Sequence, residues 1–285
     1  MRRGGMIGVA GLFLLGALLQ GCSTAPPVSV PEAPVAASPM PAPLAAIAER
    51  GRQMFVLDRA AWVATDDLRA HPDPNRWKKG GWVVELGPDG SVVTFYGRDG
   101  DAYFVVYTVA LQSGKVTGRQ IPDPGSRKPL TPAQARMAKA REAASGAIQA
   151  RPCTDGPYNT VVIPPQGADD PIDVYIMSPQ TSLDFYPFGG HSLVRVRADG
   201  SIASKRDFTK ACVNLNLRPA LPKGDTPVAL GVTHLLDPVP TEIHVFISMA
   251  TGMPLYVMTA AGLWSVDGDQ IRMLDKGPPR EGAPG

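Results

Sequence analysis

This sequence has no excess of charge of either sign, and its charged residues are few. Of 285 residues, 28 are Lys or Arg and 26 are Asp or Glu, which gives a formal charge of +2 and a charged fraction of 19%. A chain so close to neutrality lacks the field that gathers a polyanion, so we expect no nucleic acid as a partner. Its 30 Gly and 30 Pro residues instead indicate many turns and short strands rather than a helical bundle.

The sequence also lacks the common catalytic and redox motifs. It has no G-x-S-x-G nucleophile elbow, H-E-x-x-H helix, Walker loop, strand followed by G-x-G-x-x-G, or C-x-x-C pair. Many active sites assemble from residues that are scattered along a chain, so these absences make an enzyme less expected without excluding one. We therefore expect a structural or binding protein without a cofactor, and the question of catalysis stays open.

The amino-terminal segment has the three parts of an export signal. Its sequence is MRRGGMIGVAGLFLLGALLQGC, in which two arginines precede an apolar run from Met6 to Leu19. A run of about 14 residues is too short for a membrane-spanning helix, which needs ~20. A basic flank, a short apolar run and a cleavage site with small residues are typical of a cleaved signal peptide. The last four residues, Leu19-Gln20-Gly21-Cys22, resemble the lipobox of bacterial lipoproteins.

That resemblance implies a location and a mode of attachment. Residues 1–21 would be removed as a lipoprotein signal peptide, and Cys22 would carry acyl chains such as palmitate. Each buried methylene contributes about 0.8 kcal/mol to such an anchor. Ser23, rather than Asp, follows the cysteine, which in lipoproteins of this kind implies the outer membrane and a domain that faces the periplasm. An ordinary secretory signal or an uncleaved anchor is the alternative.

The two other cysteines form an even pair. Only Cys153 and Cys212 remain once Cys22 is lipidated. In an oxidising compartment such a pair is expected to form a disulfide bond. Closing a loop of this length stabilises a fold by about 4 kcal/mol in the chain-entropy model. Two buried free thiols are the alternative.

Composition divides the chain into four parts. A Pro/Ala-rich tether covers 22–43, with seven prolines between Ser23 and Pro43. Such a segment is extended and semi-rigid, at roughly 3.1 Å per residue. A globular region covers 44–276, with a possible subdivision near the proline-rich connector at 121–131. The tail at 277–285 is rich in Pro and Gly, and we expect it to be disordered.

The globular region has the pattern of an α+β fold. Apolar spacing predicts a helix over 44–70 whose core face includes Phe55 and Trp62, and a capping box at Thr131 predicts a second over 131–150. Asp-Gly pairs between β-branched and aromatic runs predict hairpins. We expect two helices, antiparallel sheets and a β-rich carboxyl-terminal half, because the elements do not alternate as βαβ units require.

Histidines in the carboxyl-terminal half offer a candidate metal site. In a predicted strand over 242–249, Glu242 and His244 share one face, and His234 lies opposite His244 if the strands form a simple hairpin. His191 is a possible third imidazole. Such a set could ligate zinc and leave a position open for water, as in a periplasmic metal-dependent hydrolase or metal-binding protein. Purely structural roles on the second face of a strand are the competing explanation.

The other candidate is an aromatic segment before a Gly-Gly pair. Phe185, Tyr186 and Phe188 could line a groove for a sugar or a peptide, because aromatic side chains give large contact areas. They could equally cover the core beneath a loop. Together these features favour a lipid-anchored envelope protein with a structural role or a binding role toward a ligand, an envelope protein or the cell wall. A zinc-dependent enzyme is the alternative.

Overall fold

The computed structural model describes residues 40–71, 80–123, 125, 127–148 and 152–276. The predicted signal peptide, Cys22, most of the tether and the tail at 277–285 lie outside these residues. The first described helix begins at Ala42, which places the end of the predicted tether inside that helix.

The described residues form three helices and fourteen strands. The helices are α1 (Ala42–Arg69), α2 (Pro132–Ala147) and α3 (Glu242–Thr251). The strands are β1 (Gly81–Gly87), β2 (Gly90–Asp99), β3 (Ala102–Gln112), β4 (Lys115–Gln120), β5 (Asn159–Val162), β6 (Ile172–Met177), β7 (Phe185–Pro187), β8 (Ser192–Val196), β9 (Ile202–Asp207), β10 (Asn214–Asn216), β11 (Leu230–Thr233), β12 (Leu255–Thr259), β13 (Gly262–Asp267) and β14 (Gln270–Lys276).

The strands form three four-stranded sheets and one short ribbon. The sheet orders are β1-β2-β3-β4, β5-β6-β8-β9 and β11-β12-β13-β14, and β7 pairs with β10. Every pairing is antiparallel except that of β11 with β12. The predicted α+β class, with antiparallel sheets and a strand-rich carboxyl-terminal half, is confirmed. The number of helices was wrong, because α3 replaces a predicted strand.

Two clusters of buried side chains form the core. The larger one joins α1, α3 and the first and last sheets through residues such as Leu57, Phe246 and Trp264. The smaller one packs Met137 of α2 against Val174 in the middle sheet. Complete burial of a side chain of this size contributes about 1.5–3 kcal/mol. The larger cluster also includes the inward-facing residues of the β7–β10 ribbon, which fixes that ribbon on the domain.

The core face of α1 includes one of the two predicted aromatic residues. Phe55 is half-buried and packs against the larger cluster, as predicted. Trp62 is 53% exposed, and the guanidinium of Arg59 lies 4.1 Å from the centre of its ring. Small and aliphatic residues occupy the buried face instead, among them Met54, Ala61 and Ala64. The prediction gave weight to the aromatic side chains, whereas the small ones allow the helix to approach its neighbours closely.

Gly51 shows how close that approach is. A Cβ at this position would lie 2.4 Å from the Cβ of Val245 and 2.7 Å from the carbonyl oxygen of Glu242, both on α3. Real Cβ atoms do not come so near to another backbone, since packed interiors leave no such overlap. A glycine that weakens α1 as an isolated helix is therefore what allows α1 to pack against α3.

The predicted strand over 242–249 is instead α3. Thr241 caps it in a capping box with His244, and Gly252, with φ of 65°, ends it in the left-handed conformation. Ile243, Val245 and Ile247 are buried together with the polar His244 and Ser248, so the helix is enclosed almost all round. A short apolar run of this kind has no periodicity that separates a strand from a buried helix. The capping residues Thr241 and Gly252 are the features of this segment that are typical of a helix.

Candidate ligand-binding pocket

A disulfide bond joins two loops at one margin of the domain. Cys153 and Cys212, the pair predicted from the sequence, are bonded with their Cα atoms 5.2 Å apart and a separation of 59 positions along the chain. Cys153 is half-buried and Cys212 is exposed. The bond holds the segment that precedes β5 against the segment that precedes β10.

An open pocket of about 360 Å³, which we call the disulfide pocket, lies beside Cys153. This volume is within the range of small-molecule sites. Besides the disulfide, its walls come from the loop before β5, the loop before β7, and strands β7 and β10. The lining side chains include Thr154, Asp155, Thr181, Ser182, Phe185 and Asn214.

The aromatic segment contributes one of its three rings to this pocket. Phe185 lines the pocket and is 46% exposed, whereas Tyr186 and Phe188 are buried in the core. Consecutive residues of a strand point to opposite faces, so Phe185 and Tyr186 cannot both face the pocket. Burial raises the pKa of the Tyr186 hydroxyl, in keeping with its place in the core. The prediction of a three-aromatic groove is therefore corrected to a single exposed ring.

Hydrogen bonds tie the walls of the disulfide pocket together. The Thr154 hydroxyl donates to the carbonyl of Pro179 at 2.5 Å, and the Cys153 amide donates to the Ser178 hydroxyl at 2.9 Å. Each bond links the loop before β5 to the loop before β7. On the other side, β7 pairs with β10, with Tyr186 opposite Leu215. The pocket is thus bounded by segments that are bonded to one another.

The Gly189-Gly190 pair lets the chain pass directly under the disulfide. A Cβ on Gly189 would lie 2.4 Å from the carbonyl oxygen of Ala211, and one on Gly190 would lie 2.7 Å from the Sγ of Cys153. Gly190 also has φ of 74°, a conformation that other residues rarely adopt. The sequence therefore needs glycine at both positions if the disulfide is to close over them.

His191 braces the loops that flank the pocket. Its Nδ1 accepts from the Ser178 amide at 3.3 Å, and its Nε2 donates to the carbonyl of Pro187 at 3.0 Å. The ring is completely enclosed, and burial lowers the pKa of His191 to about 4. The imidazole is thus neutral at neutral pH, and backbone groups engage both of its nitrogens. It serves as a structural link rather than as a free metal ligand.

His234 and His244, which we call the histidine pair, do come together as the sequence suggested. Their rings are 4.7 Å apart between centroids and nearly perpendicular, at 82°. The Nε2 of His234 contacts an Asp237 carboxylate oxygen at 2.7 Å, and Arg206 contacts the same oxygen at 2.6 Å. The pair lies in the interior, where both rings are nearly inaccessible to solvent.

His244 is held by the start of its own helix. Its Nδ1 accepts from the Thr241 amide at 2.9 Å, which completes the capping box of α3. Burial, with a smaller effect from the neighbouring His234, lowers the pKa of His244 to about 3. Its Nε2 is buried and has no hydrogen-bond partner among the described residues. The ring of Phe188 packs against it edge-on at 5.3 Å.

The predicted metal set is not assembled. Glu242 accepts a hydrogen bond from the Tyr175 hydroxyl at 2.9 Å, and residues two apart on a helix point about 200° away from each other. Glu242 and His244 therefore face different surroundings, whereas a strand would have placed them on one face. Within the described ranges, no group of three or more His, Cys, Asp or Glu side chains is arranged to hold a metal ion.

Sequence reasoning missed most of the polar lining. Asp155 and Asn214 each lie two residues from a cysteine, so their proximity follows from the disulfide once that bond is assumed. Thr181 is near the aromatic segment but carries no pattern of its own. Polar residues that flank a predicted disulfide are the signal that could have found this site.

Comparison of the chain with protein-family models, with curated proteins and with solved structures finds no match. In the part of the chain that the structure describes, no helix is both long and apolar enough to span a bilayer.

Proposed function

We propose that this protein is a lipid-anchored protein of the bacterial outer membrane, facing the periplasm, and that it binds a ligand in the disulfide pocket. Its role is binding rather than catalysis. The observation that carries the proposal is the bracing of the pocket. A covalent bond, two loop-to-loop hydrogen bonds and a buried imidazole hold its walls.

A braced, open pocket favours binding for an energetic reason. Ordering a flexible loop on binding costs roughly 0.5–1.5 kcal/mol for each immobilised side chain, and a pocket whose walls are already fixed avoids most of that cost. The histidine pair offers no comparable site, because its side chains are closed off from solvent and engaged in the core. We therefore assign ligand binding to the disulfide pocket rather than to the histidine pair.

The location is supported by features in separate parts of the chain. The segment that ends at Cys22 resembles a lipoprotein signal, and a proline-rich tether follows it. The disulfide between Cys153 and Cys212 is suited to an oxidising compartment. These features support export and attachment together, since a tether is useful to a domain that is held at a surface.

Metabolic labelling tests the anchor. We expect cells that express the chain to incorporate an alkyne analogue of palmitate into it, and Cys22→Ala to abolish this label while Cys212→Ser retains it. The intact mass should correspond to a mature chain that begins at Cys22. A label that persists in Cys22→Ala, or no label in the unaltered chain, contradicts the anchor.

Blocking the pocket tests the binding role. Saturation-transfer NMR of the full chain in detergent micelles is run with N-acetylglucosamine, trialanine and adenosine as probes. Thr181→Trp fills the pocket, and Leu183→Trp is the matched control, because Leu183 is 75% exposed in the same loop and does not line the pocket. We expect at least one probe to bind the unaltered chain and Leu183→Trp but not Thr181→Trp. If no probe shows this dependence, the binding role is wrong.

A further inference from the structure

The charge of the disulfide pocket restricts its ligand. Among the described residues that line it, Asp155 carries the one charged side chain, and none of them is Lys, Arg or His. Arg218 is nearby in the chain but pairs with Asp184 at 3.4 Å. A site that must hold a phosphate or a carboxylate uses a cation or convergent amides. The lining therefore selects against anions and accepts a neutral or a basic ligand.

Several polar groups of the pocket are available to a ligand. Within the described residues, no hydrogen bond engages the Asp155 carboxylate, the Thr181 hydroxyl or the Asn214 side-chain amide. A carboxylate only accepts, whereas a hydroxyl and an amide both donate and accept. A ligand that satisfies all three must offer both donors and acceptors. Hydroxyl groups have this property.

Phe185 adds an apolar face to this polar rim. Its ring is 46% exposed, and in the β7–β10 ribbon it lies diagonally opposite Asn214 on the outward side. A sugar ring carries C–H groups on its faces and hydroxyls around its edge, which complements an aromatic face beside polar side chains. A lipid chain would leave the polar lining unsatisfied, and that costs about 1–3 kcal/mol for each buried group.

We infer that the disulfide pocket binds a neutral saccharide, with one ring against Phe185 and its hydroxyls bonded to Asp155, Thr181 and Asn214. This inference rests on the proposed binding function and names its ligand class. A volume of about 360 Å³ lies near the lower end of the range for ligand sites, which suits one or two sugar rings. Because the pocket is open, a longer glycan can continue out of it.

Calorimetric titration of the full chain in micelles tests this inference. The probes are N-acetylglucosamine, tri-N-acetylchitotriose, glucuronic acid and trialanine. We expect the two neutral sugars to bind, and glucuronic acid to bind at least tenfold more weakly because Asp155 repels it. Asp155→Asn should reduce that discrimination. Equal binding of glucuronic acid and N-acetylglucosamine overturns the charge argument.

Variants of the aromatic face identify the site of binding. Phe185→Ala should weaken tri-N-acetylchitotriose at least tenfold, Phe185→Trp should retain it, and Leu183→Ala should leave it unchanged. Sugar binding that is insensitive to Phe185→Ala overturns the inference. Trialanine binding that Thr181→Trp abolishes, without sugar binding, overturns the saccharide but leaves the binding function standing. If none of the sugars, trialanine and adenosine binds, both proposals fail.

A sedimentation arm separates the two sources of a saccharide. If the pocket takes a glycan strand of the cell wall, the chain should sediment with purified sacculi, and tri-N-acetylchitotriose should release it. If only the free sugars bind, the ligand is a free saccharide of the same class. Each of these results supports a saccharide as the ligand. The Phe185→Ala variant is included both in the sedimentation experiment and in the titration with free sugars.

Discussion

The disulfide pocket and the histidine pair both contain residues that the sequence marks as chemically interesting, and they differ in what surrounds those residues. Around the pocket, the buried groups act as braces, and the lining side chains are left open to solvent. Around His234 and His244, the imidazoles themselves are enclosed and serve the core and a helix cap. Proximity of reactive side chains is therefore not enough for a site, because access decides what they can do.

His191 shows the same difference between a reactive residue type and its actual role in the fold. As a histidine beside a Gly-Gly pair, it is a candidate ligand for zinc in the sequence. In the structure it is completely buried, and both of its nitrogens bond to backbone groups. Its role is to brace the loops that flank the disulfide pocket, and it has no nitrogen free to bind a metal ion.

Removal of the disulfide bond should destabilise the protein more than any other substitution described below. Cys153→Ser combined with Cys212→Ser should lower the free energy of unfolding by about 4 kcal/mol, because the 59-residue separation makes the released loop long. Denaturant unfolding without reductant measures it, and the unaltered chain under reducing conditions is the control. A loss of less than about 1 kcal/mol contradicts the role of the disulfide as the main brace.

Acid should destabilise the fold through the two most deeply buried histidines. Burial holds the pKa of His191 at about 4 and that of His244 at about 3, whereas an unfolded histidine titrates near 6.5. Between these values the unfolded chain binds more protons, so stability is complete above about pH 6.5 and falls as the pH is lowered. Each histidine should contribute a loss of about 2 kcal/mol between pH 6.5 and 4.5, and the two together about 4 kcal/mol.

Substitution separates the two contributions to this acid sensitivity. His191→Gln and His244→Gln should each flatten the fall in stability over that range, as measured by denaturant unfolding at a series of pH values. The buried carboxyl of Asp58 acts in the opposite sense, because burial raises its pKa, and it is common to all variants. If both variants lose stability with pH as steeply as the unaltered chain, the buried neutral histidines are not the cause.

A smaller effect should come from the contact between α1 and α3, which supports the enclosed region. Gly51→Ala should cost about 2 kcal/mol, because the added methyl group meets Val245 and the backbone of α3. Gly146→Ala in α2 is the matched control. Nothing lies within 4 Å of its Cβ, so it should stabilise the helix by about 0.5–1 kcal/mol. Thermal unfolding of both variants measures the difference, and equal shifts contradict the close approach.

Local signals in the sequence predict much of the fold. The capping box of Thr131 and Gln134 marks α2, and Gly100 and Gly268 sit at positive φ in predicted hairpins. The helix α3 could not be read in this way, because a run that is buried on nearly every side has no polar face to set its period. Its cap at Thr241 and its stop at Gly252 were the available signals.

The candidate site was only partly predictable. The disulfide was predicted from the even number of remaining cysteines and from the expected oxidising compartment. Phe185 was predicted together with Tyr186 and Phe188, which the structure buries. Which of the three rings faces outward depends on the pairing of β7 with β10, a contact between short strands that are far apart in sequence. The register of such a ribbon is set by tertiary packing, which a single sequence does not display.

We propose that this protein binds its ligand in the disulfide pocket and not at the histidine pair. Mapping amide chemical shifts of the full chain in micelles, with and without tri-N-acetylchitotriose, distinguishes the two sites. We expect shifts centred on Thr154, Asp155, Thr181, Phe185 and Asn214, with the amides of His234 and His244 unmoved. Shifts centred on the histidine pair, or no shifts at saturating sugar, would contradict it.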